Sequence, residues 1–324
     1  MHTRISIITT TYKHEKFIAH TIESVLAQTL IDWELLIGDD SPDDATWNII
    51  EDYIQRYPGK IRAWHHSPNK GIVDNTNFLL SHISKDSKFV TFLEGDDMYT
   101  KDNLEKKCAI FERYADVQLV YSDLSFINSK NEVILESFFW YRKIPYFQDR
   151  KIPRDEFILL PAGPIASWST GMVRREMIDK FPPLARWKDP KYSISDYEFY
   201  YTIATQYSVY GIEEPLTLYR RHGWNLSGAS GGTSGDLERW IDMLYDTGNI
   251  SSILYRKKKS WLSIANAIFA LEHGKKAQAW KYLRDALRYD LWYGIIYKLG
   301  ICGLVVLPTW ISQKMLRRLI RRGN

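Results

Sequence analysis

The chain has 324 residues, 45% of them hydrophobic, which is enough for one large domain with an appendage or for two domains. Its two cysteines, Cys108 and Cys302, lie far apart and have no partner at metal-ligand spacing, so no disulfide framework is expected and a reducing compartment fits. Residues 254–324 carry 15 Lys and Arg against 3 Asp and Glu, a net charge of +12 that leaves −8 for residues 1–253. Because the basic residues lie in an apolar tail and the body is acidic, nucleic-acid binding is not expected.

The first 125 residues alternate between strand-like and helical spacing of apolar side chains. Strands are predicted at 4–10, 33–38, 61–65, 89–93 and 117–122. Helices are predicted at 15–28, 71–83 and 102–114, and another begins at 41–44. Repeated β-α-β units of this kind predict an α/β fold, Rossmann-like, with a parallel-rich sheet flanked by helices. Ligands of such sheets bind beyond the carboxyl ends of the strands.

The second half of the chain is less regular. After an irregular stretch, a short strand is predicted at 169–174 and helices at 175–180 and 196–206. The Ser/Gly-rich residues 227–235 predict a mobile loop or a domain boundary. From residue 236 onward the pattern is helical, and helices at 261–271 and 276–289 form a predicted hairpin with Gly274 in the turn.

The C-terminal end is apolar and then basic. Residues 291–311 carry no charge apart from Lys298, and a basic run follows at Lys314, Arg317, Arg318, Arg321 and Arg322. The apolar length would permit a transmembrane span. Lys298, Pro308 and the polar flanks favour instead a segment at the membrane interface, with the basic run on anionic lipid headgroups. The alternative is a helix packed on the body or on a second subunit.

The N-terminus has only a short apolar stretch, which has the length of a strand and not of a signal peptide. We therefore expect a cytoplasmic protein, peripheral at the inner face of the plasma membrane through its C-terminal tail.

The stretch KFVTFLEGDD runs from a short apolar strand into Glu94, Asp96 and Asp97. Unpaired charge is costly in a low-dielectric interior, so carboxylates placed there need a cation. Oxygen ligands at this spacing suit Mg²⁺ or Mn²⁺, which are often held by one or two carboxylates plus the phosphates of a substrate. The alternative is a solvated acidic turn. Because Thr10 and Asp39 end two other predicted strands, we expect all these groups to converge on one nucleotide-diphosphate site.

Several motifs occur along the chain in one fixed order. They are Thr10-x-Tyr12, Ser24-Val25-Leu26-Ala27-Gln28, Asp39-Asp40-Ser41-Pro42-Asp43, Asn69-Lys70-Gly71 with Asn77, Glu94-Gly95-Asp96-Asp97, Asp196-Tyr197-Glu198 and Tyr219-Arg220-Arg221-His222. The ordered set covers about residues 3–227 and resembles the inverting glycosyltransferases of family 2, which have the GT-A fold.

The resemblance implies a domain organisation. A GT-A domain is expected at 1–235, with a nucleotide-sugar half at about 1–125 and an acceptor half at about 126–235. The helical pattern and the basic apolar tail, independently of the resemblance, predict a helical, membrane-associating C-terminal region at 236–324.

The resemblance also implies which residues bind the nucleotide. Thr10, Tyr12 and Asp39 would hold the nucleoside, with Asp39 accepting an N–H of the base and Tyr12 offering a ring face; the alternative is that Thr10 and Tyr12 only end a strand. Many relatives have Arg where Thr76 stands, so one base or phosphate contact is either missing or supplied by Lys70.

For the metal, the resemblance implies that Asp96 and Asp97 bind Mg²⁺ or Mn²⁺ bridging both phosphates, with Asp96 also part of the nucleotide site. Asp97 is the first choice for direct ligation. Glu94 stands where relatives usually have Asp and would contact ribose or a metal-bound water. His222 would contact the diphosphate or the metal; the alternative is an exposed basic turn.

For catalysis, the resemblance implies that Asp196 is the general base that removes the proton of the acceptor hydroxyl, with Glu198 in reserve. The alternative for Asp196 is a helix N-cap. Trp168 and Ser169 are expected on the acceptor side.

We therefore expect transfer of a sugar, with inversion, from a nucleotide-diphospho-sugar to a hydroxyl of a glycan or lipid-linked acceptor in cell-surface polysaccharide or lipopolysaccharide synthesis. A nucleotidyltransferase is one alternative, but ITTTYKHE lacks the glycine that such enzymes carry after the first strand. A non-catalytic membrane-associated adaptor is another, but the intact acidic motif argues against it.

Overall fold

The computed structural model describes residues 5–138, 149–159, 167–180, 195–222 and 234–306. The chain divides into two units, and each is described by itself. One comprises Met1–Arg154 and Ile165–Ala229, and the other comprises Asp155–Pro164 and Ser230–Asn324.

The first unit is built on a mixed sheet that has ten strands among the described residues. These are β1 (Ile5–Thr11), β2 (Trp33–Asp39), β3 (Ile61–His65), β4 (Phe89–Phe92), β5 (Met98–Tyr99), β6 (Val117–Ile127), β7 (Val133–Leu135), β8 (Arg150–Ile152), β9 (Gly171–Arg174) and β10 (Ser208–Arg220). The order is β3-β2-β1-β4-β9-β6-β10-β5, with β7 beside β6 and β8 beside β10. The pairs β3–β2, β2–β1, β1–β4 and β6–β10 are parallel, whereas β9 runs antiparallel to both β4 and β6.

Helices flank this sheet, as predicted for an α/β fold. They are α1 (Ile18–Leu26), α2 (Asp44–Arg56), α3 (Gly71–Leu80), α4 (Asn103–Arg113), α6 (Arg175–Lys180) and α7 (Ser195–Ala204), whereas α5 (Arg154–Leu159) belongs to the second unit apart from Arg154. Apolar residues at three- and four-residue spacing on α1, such as Ile18, Ile22 and Val25, are fully buried in a core shared with β1 and β2. α2 begins where the Asp43 carboxylate accepts the backbone N–H of Ala45 at 3.1 Å.

β10 is the largest element that the sequence did not predict. It has 13 residues, and its pairing with β6 is interrupted by register shifts around Pro215. The short strands β5, β7 and β8 were also not predicted. β6 extends to Ile127, five residues beyond the prediction, and the start of the predicted strand 169–174 is instead a turn of 3₁₀ helix at Trp168–Thr170.

Besides α5, the second unit contains four helices among its described residues. They are α8 (Ser234–Asp246), α9 (Ser252–Glu272), α10 (Lys276–Tyr289) and α11 (Ile295–Val306). α9 is longer than the predicted helix 261–271, while α10 has the predicted bounds, and Gly274 takes a positive φ of 71° in the turn between them. Ile264, Leu283 and Ile301 belong to a buried cluster shared by α9, α10 and α11.

The apolar C-terminal segment is partly buried in this core. On α11 the side chain of Lys298 is buried, and its ammonium donates to the backbone carbonyl of Asp290. The opposite side of the segment is open, because Trp292 is 75% and Leu299 64% exposed. Within the described ranges, no helix has the length and hydropathy needed to cross a membrane.

Candidate functional site

Three neighbouring parallel strands, β2, β1 and β4, end at one edge of the sheet. Thr11 of β1 is in register with Asp39 at the end of β2. The loop after β4 folds against the same edge, since the backbone N–H of Gly95 donates to the carbonyl of Thr10 at 3.0 Å. The structure therefore brings together Thr10, Asp39 and the acidic loop, as the sequence predicted.

Asp39 is fully buried at this edge. Its Oδ1 accepts hydrogen bonds from the backbone N–H and the hydroxyl of Ser41, at 3.0 and 2.6 Å. Its Oδ2 has no hydrogen-bond partner among the described residues, and Nε2 of His65 lies 3.9 Å away. Burial raises the pKa of Asp39. A buried acceptor without a donor is costly in a native fold, so this oxygen fits a ligand N–H.

The other predicted nucleotide residues surround Asp39 in different ways. The hydroxyl of Thr10 donates to Oε2 of Glu94 at 3.2 Å, so this threonine links the first strand to the acidic loop. Tyr12 is 47% exposed and can present its ring to a ligand. Lys70 is exposed, while its backbone N–H is bound to Asp40 Oδ1 at 3.2 Å.

Asp97 is buried, and each of its carboxylate oxygens accepts a hydrogen bond. Oδ2 accepts the hydroxyl of Ser169 at 2.6 Å, and Oδ1 accepts the backbone N–H of Arg220 at 2.9 Å. Burial, together with the charge of Asp96, raises the pKa of Asp97 well above its usual range. Asp97 as the direct metal ligand stays a prediction, but this geometry favours its neighbour.

Asp96 faces two histidines. Its Oδ2 lies 2.8 Å from Nε2 of His222, and one ligand atom each from Asp96, His222 and His14 lie within 4.8 Å of one another. Burial alone would raise the pKa of Asp96, but the hydrogen bond with His222 and the nearby imidazoles outweigh it and lower the pKa. Burial lowers the pKa of His14, which favours its neutral form. A neutral imidazole and an ionised carboxylate are the forms that bind metals.

His14 was not among the sequence candidates, although the signal was present. The residue follows β1 by three positions, at the strand end where the other candidates lie. A carboxylate with two imidazoles is a suitable ligand set for a divalent first-row transition metal, so the residues fit the cofactor that the family resemblance implies.

Arg220 holds the loop that carries Asp96 through side-chain hydrogen bonds. Its side chain is fully buried. Its Nε donates to the carbonyl of Asp96 at 2.7 Å. Its η nitrogen donates to a neighbouring turn, to the carbonyl of Asn128 at 2.9 Å and to Oδ1 of Asn131 at 2.6 Å.

Phe17 joins Arg220 to the histidine. The Phe17 ring lies 4.7 Å from the guanidinium carbon of Arg220 and stacks on the ring of His222, with centroids 5.1 Å apart and planes 26° from parallel. These contacts fix the orientation in which His222 meets Asp96.

The two predicted acceptor residues are both buried. Ser169 accepts the backbone N–H of Glu94 at 3.1 Å while it donates to Asp97, so it supports the acidic loop. Trp168 packs on Phe92 with ring centroids 4.5 Å apart. Their contact with an acceptor stays a prediction.

The predicted base, Asp196, is the second residue of α7, so it lies in the first turn of that helix. Its side chain, like that of Glu198, lies outside the described residues. Its role stays a prediction.

Comparison with known proteins gives the family. Residues 6–181, just over half of the chain, match the family model for Glycosyl transferase family 2, and the chain belongs to this family. The chain is 32% identical over 117 residues to the putative glycosyltransferase EpsE of Bacillus subtilis, covering 36% of this chain and 41% of that protein. It is 31% identical over 143 residues to an Escherichia coli protein, UDP-Glc:alpha-D-GlcNAc-diphosphoundecaprenol beta-1,3-glucosyltransferase WfgD, covering 44% and 53%. The match thus spans about half or less of these two relatives.

The fold also resembles a solved structure, S. aureus TarS 1–349 in complex with UDP-GlcNAc. The TM-score is 0.61 at 14% identity, over 99% of this chain and 93% of that one. At this identity the likeness supports the fold alone, and it confirms the predicted GT-A architecture.

Proposed function

We propose that this protein is a metal-dependent inverting glycosyltransferase that moves a sugar from a nucleotide-diphospho-sugar to a hydroxyl of a glycan or lipid-linked acceptor. One observation carries the proposal. Asp39, whose Oδ2 has no hydrogen-bond partner among the described residues, ends β2, and the loop that carries Asp96 folds against the same sheet edge and pairs with His222, so a base donor and a diphosphate-binding metal are served by one site.

The donor half follows from these contacts. Asp39 accepts an N–H of the base, and Tyr12 covers the base or ribose with its ring. Lys70 is exposed, with its ammonium 5.5 Å from the centroid of the Phe78 ring, and can reach phosphate. Thr10 holds Glu94 in place beside them. The UDP-GlcNAc complex of the similarly folded TarS supports a uridine nucleotide as the first donor to test.

The chemistry needs a stable leaving group and a base. Asp96 and His222 would hold Mg²⁺ or Mn²⁺, with Asp97 and Glu94, the other two predicted ligands, shaping the loop. When bound, the metal neutralises charge that develops on the departing diphosphate. Asp196 accepts the proton of the acceptor hydroxyl as that oxygen attacks the anomeric carbon from the side opposite the diphosphate, which inverts the configuration.

The acceptor side and the location rest on the second unit and on relatives. One relative is named a minor teichoic acid biosynthesis protein, and WfgD acts on a diphosphoundecaprenol-linked sugar by its name. In this chain the exposed Trp292 and Leu299 precede five basic residues after position 306. An apolar surface followed by cationic residues suits the interface of an anionic membrane, so we place the enzyme at the inner face of the plasma membrane, working on a lipid-linked glycan.

Thermal unfolding with nucleoside diphosphates tests the donor site. UDP, GDP, dTDP and CDP are each added with Mn²⁺ or with EDTA. A ligand present at 100 times its Kd adds about 2.7 kcal/mol to stability, so one diphosphate should raise the melting temperature in a metal-dependent way. No shift with any of the four would contradict the proposal.

Sugar transfer to a polyprenyl-diphosphate-linked glycan tests the chemistry. The Asp196→Asn variant should show the wild-type melting shift with nucleotide and Mn²⁺ yet lose transfer, because only proton removal is affected. Retention of transfer by Asp196→Asn would reject Asp196 as the base and pass the role to Glu198.

A further inference from the structure

His14 lies where it can complete the metal site. Its carbonyl accepts the backbone N–H groups of Phe17 and Ile18, at 2.8 and 2.9 Å, so the turn that begins α1 holds the residue rigidly. Its ring meets that of His222 edge-on, with centroids 6.2 Å apart. Its Nδ1 is buried and has no hydrogen-bond partner among the described residues.

We propose that His14 is a third protein ligand of the metal, and that the resulting site of two imidazoles and one carboxylate selects Mn²⁺ over Mg²⁺. The inference rests on the proposed function, because the metal is the one that binds the donor diphosphate. Mg²⁺ prefers oxygen ligands in near-ideal octahedral geometry, whereas imidazole nitrogen favours first-row transition metals.

Among the described residues, His14, Asp96 and His222 are the group whose ligand atoms lie within reach of one ion. Each carboxylate oxygen of Asp97 accepts a hydrogen bond, from Ser169 or from Arg220, and Asp96 is the carboxylate that lies with the two histidines. Without His14 the protein would supply one oxygen and one nitrogen. With it, three protein ligands leave room for donor oxygens and water in a six-coordinate shell.

Gly95 shows how closely the loop approaches His14. A Cβ atom at position 95 would lie 3.0 Å from Nδ1 of His14 and 2.6 Å from Cβ of Thr11. The absence of a side chain at position 95 lets the acidic loop pass against the imidazole, which brings Asp96 and His14 within reach of one ion.

Direct Mn²⁺ binding to the full chain tests the proposal without relying on activity. Free Mn²⁺ is followed by electron paramagnetic resonance during titration of the wild-type, His14→Ala and His20→Ala proteins, without nucleotide and with UDP. His20 is an exposed histidine on α1 and serves as the matched control. His14→Ala should weaken Mn²⁺ binding about 10-fold or more, in line with the effect of disturbing metal-site partners. His20→Ala should bind Mn²⁺ as wild type does. The affinity for Mg²⁺, measured by its competition with Mn²⁺, should differ between His14→Ala and wild type far less than the affinity for Mn²⁺.

Electron spin echo modulation from ¹⁴N nuclei of bound Mn²⁺ counts the imidazole ligands in the unmodified chain, so the test survives if a variant fails to fold. Two imidazole nitrogens in wild type and one in His14→Ala are expected. One nitrogen in wild type, or an unchanged Mn²⁺ affinity in His14→Ala, would overturn the proposal.

The same measurements separate this inference from the proposed function. Two imidazole nitrogens on Mn²⁺ in a protein that binds no nucleoside diphosphate would support the metal site and reject the proposed transferase function. Metal-dependent sugar transfer with a single imidazole nitrogen on Mn²⁺ would support the transferase function and reject His14 as a ligand. Absence of Mn²⁺ binding with and without UDP would overturn the metal site and, with it, metal-dependent transfer.

Discussion

Lys107 is a fully buried lysine on the core-facing side of α4, beside the buried Leu104 and Phe111. Its Nζ has no hydrogen-bond partner among the described residues and lies 5.5 Å from the centroid of the Tyr99 ring. Burial lowers the pKa of Lys107 to about 7. The folded protein therefore disfavours a charge that the unfolded chain carries freely.

The size of this effect follows from the two pKa values. An unfolded lysine has a pKa of about 10.4, so a folded value of about 7 costs roughly 4 kcal/mol at pH 7. Lys107→Met keeps the aliphatic stem and removes the ammonium, and we expect its free energy of unfolding at pH 7 to rise by about that amount. Between pH 7 and about 10.4 the unfolded chain binds a proton that the fold has released. Wild-type stability should therefore rise with pH in this window and approach that of the variant.

Urea unfolding of wild type and Lys107→Met at pH 7 and pH 9.5 measures the difference in their free energies of unfolding. Groups that titrate equally in both proteins contribute equally to both free energies and so do not affect this difference. The control is Lys106→Met. Lys106 is a surface residue paired with Asp102 and Glu214, so its loss should lower stability by about 1 kcal/mol or less. A Lys107→Met protein less stable than wild type at pH 7, or a difference equal at the two pH values, would refute the reasoning.

Three further substitutions test the site. Asp39→Asn should weaken UDP binding about 10-fold or more by calorimetry, because the amide NH₂ group donates at a position where the carboxylate oxygen accepts. Burial raises the pKa of Asp39, so the UDP affinity of the wild type should also fall on acidification, and at a higher pH than for an ordinary aspartate. Gly95→Ala places a methyl group 2.6 Å from Cβ of Thr11 and should cost about 1–3 kcal/mol in thermal unfolding, with an unchanged melting temperature counting against it. Arg220→Lys cannot reproduce the planar fork of buried hydrogen bonds, and a loss of about 2–4 kcal/mol with weaker Mn²⁺ binding is expected; normal Mn²⁺ affinity would show that Arg220 does not position the metal loop.

The nucleotide half of the fold could be predicted because its signals are local. β1 to β4 are short apolar runs separated by helices with three- and four-residue apolar spacing, and parallel strands of this kind leave their carboxyl ends at one edge. The shared edge of the parallel strands was sufficient to predict that Asp39 and the acidic loop lie close together.

The rest depends on long-range contacts that no local pattern carries. β10 contains Gly211, Pro215 and two adjacent glutamates, so it does not read as a strand until it pairs with β6. Ser169 reads as a residue of the acceptor side, but its hydroxyl is used by Asp97, 72 residues away. The basic residues around Arg220 are typical of an exposed turn, yet the side chain of Arg220 is completely buried against the acidic loop and Phe17.

β10 also has a practical consequence for anyone who divides this chain. The family match ends at residue 181, but Arg220 and His222 come 39 and 41 residues later, at and just after the end of β10. The last part of β10 pairs with β5, the strand that directly follows the acidic loop. A recombinant fragment cut where the recognisable homology stops would retain the aspartates without the residues that orient them. Chimeras that exchange donor preference between relatives should therefore be joined after residue 222.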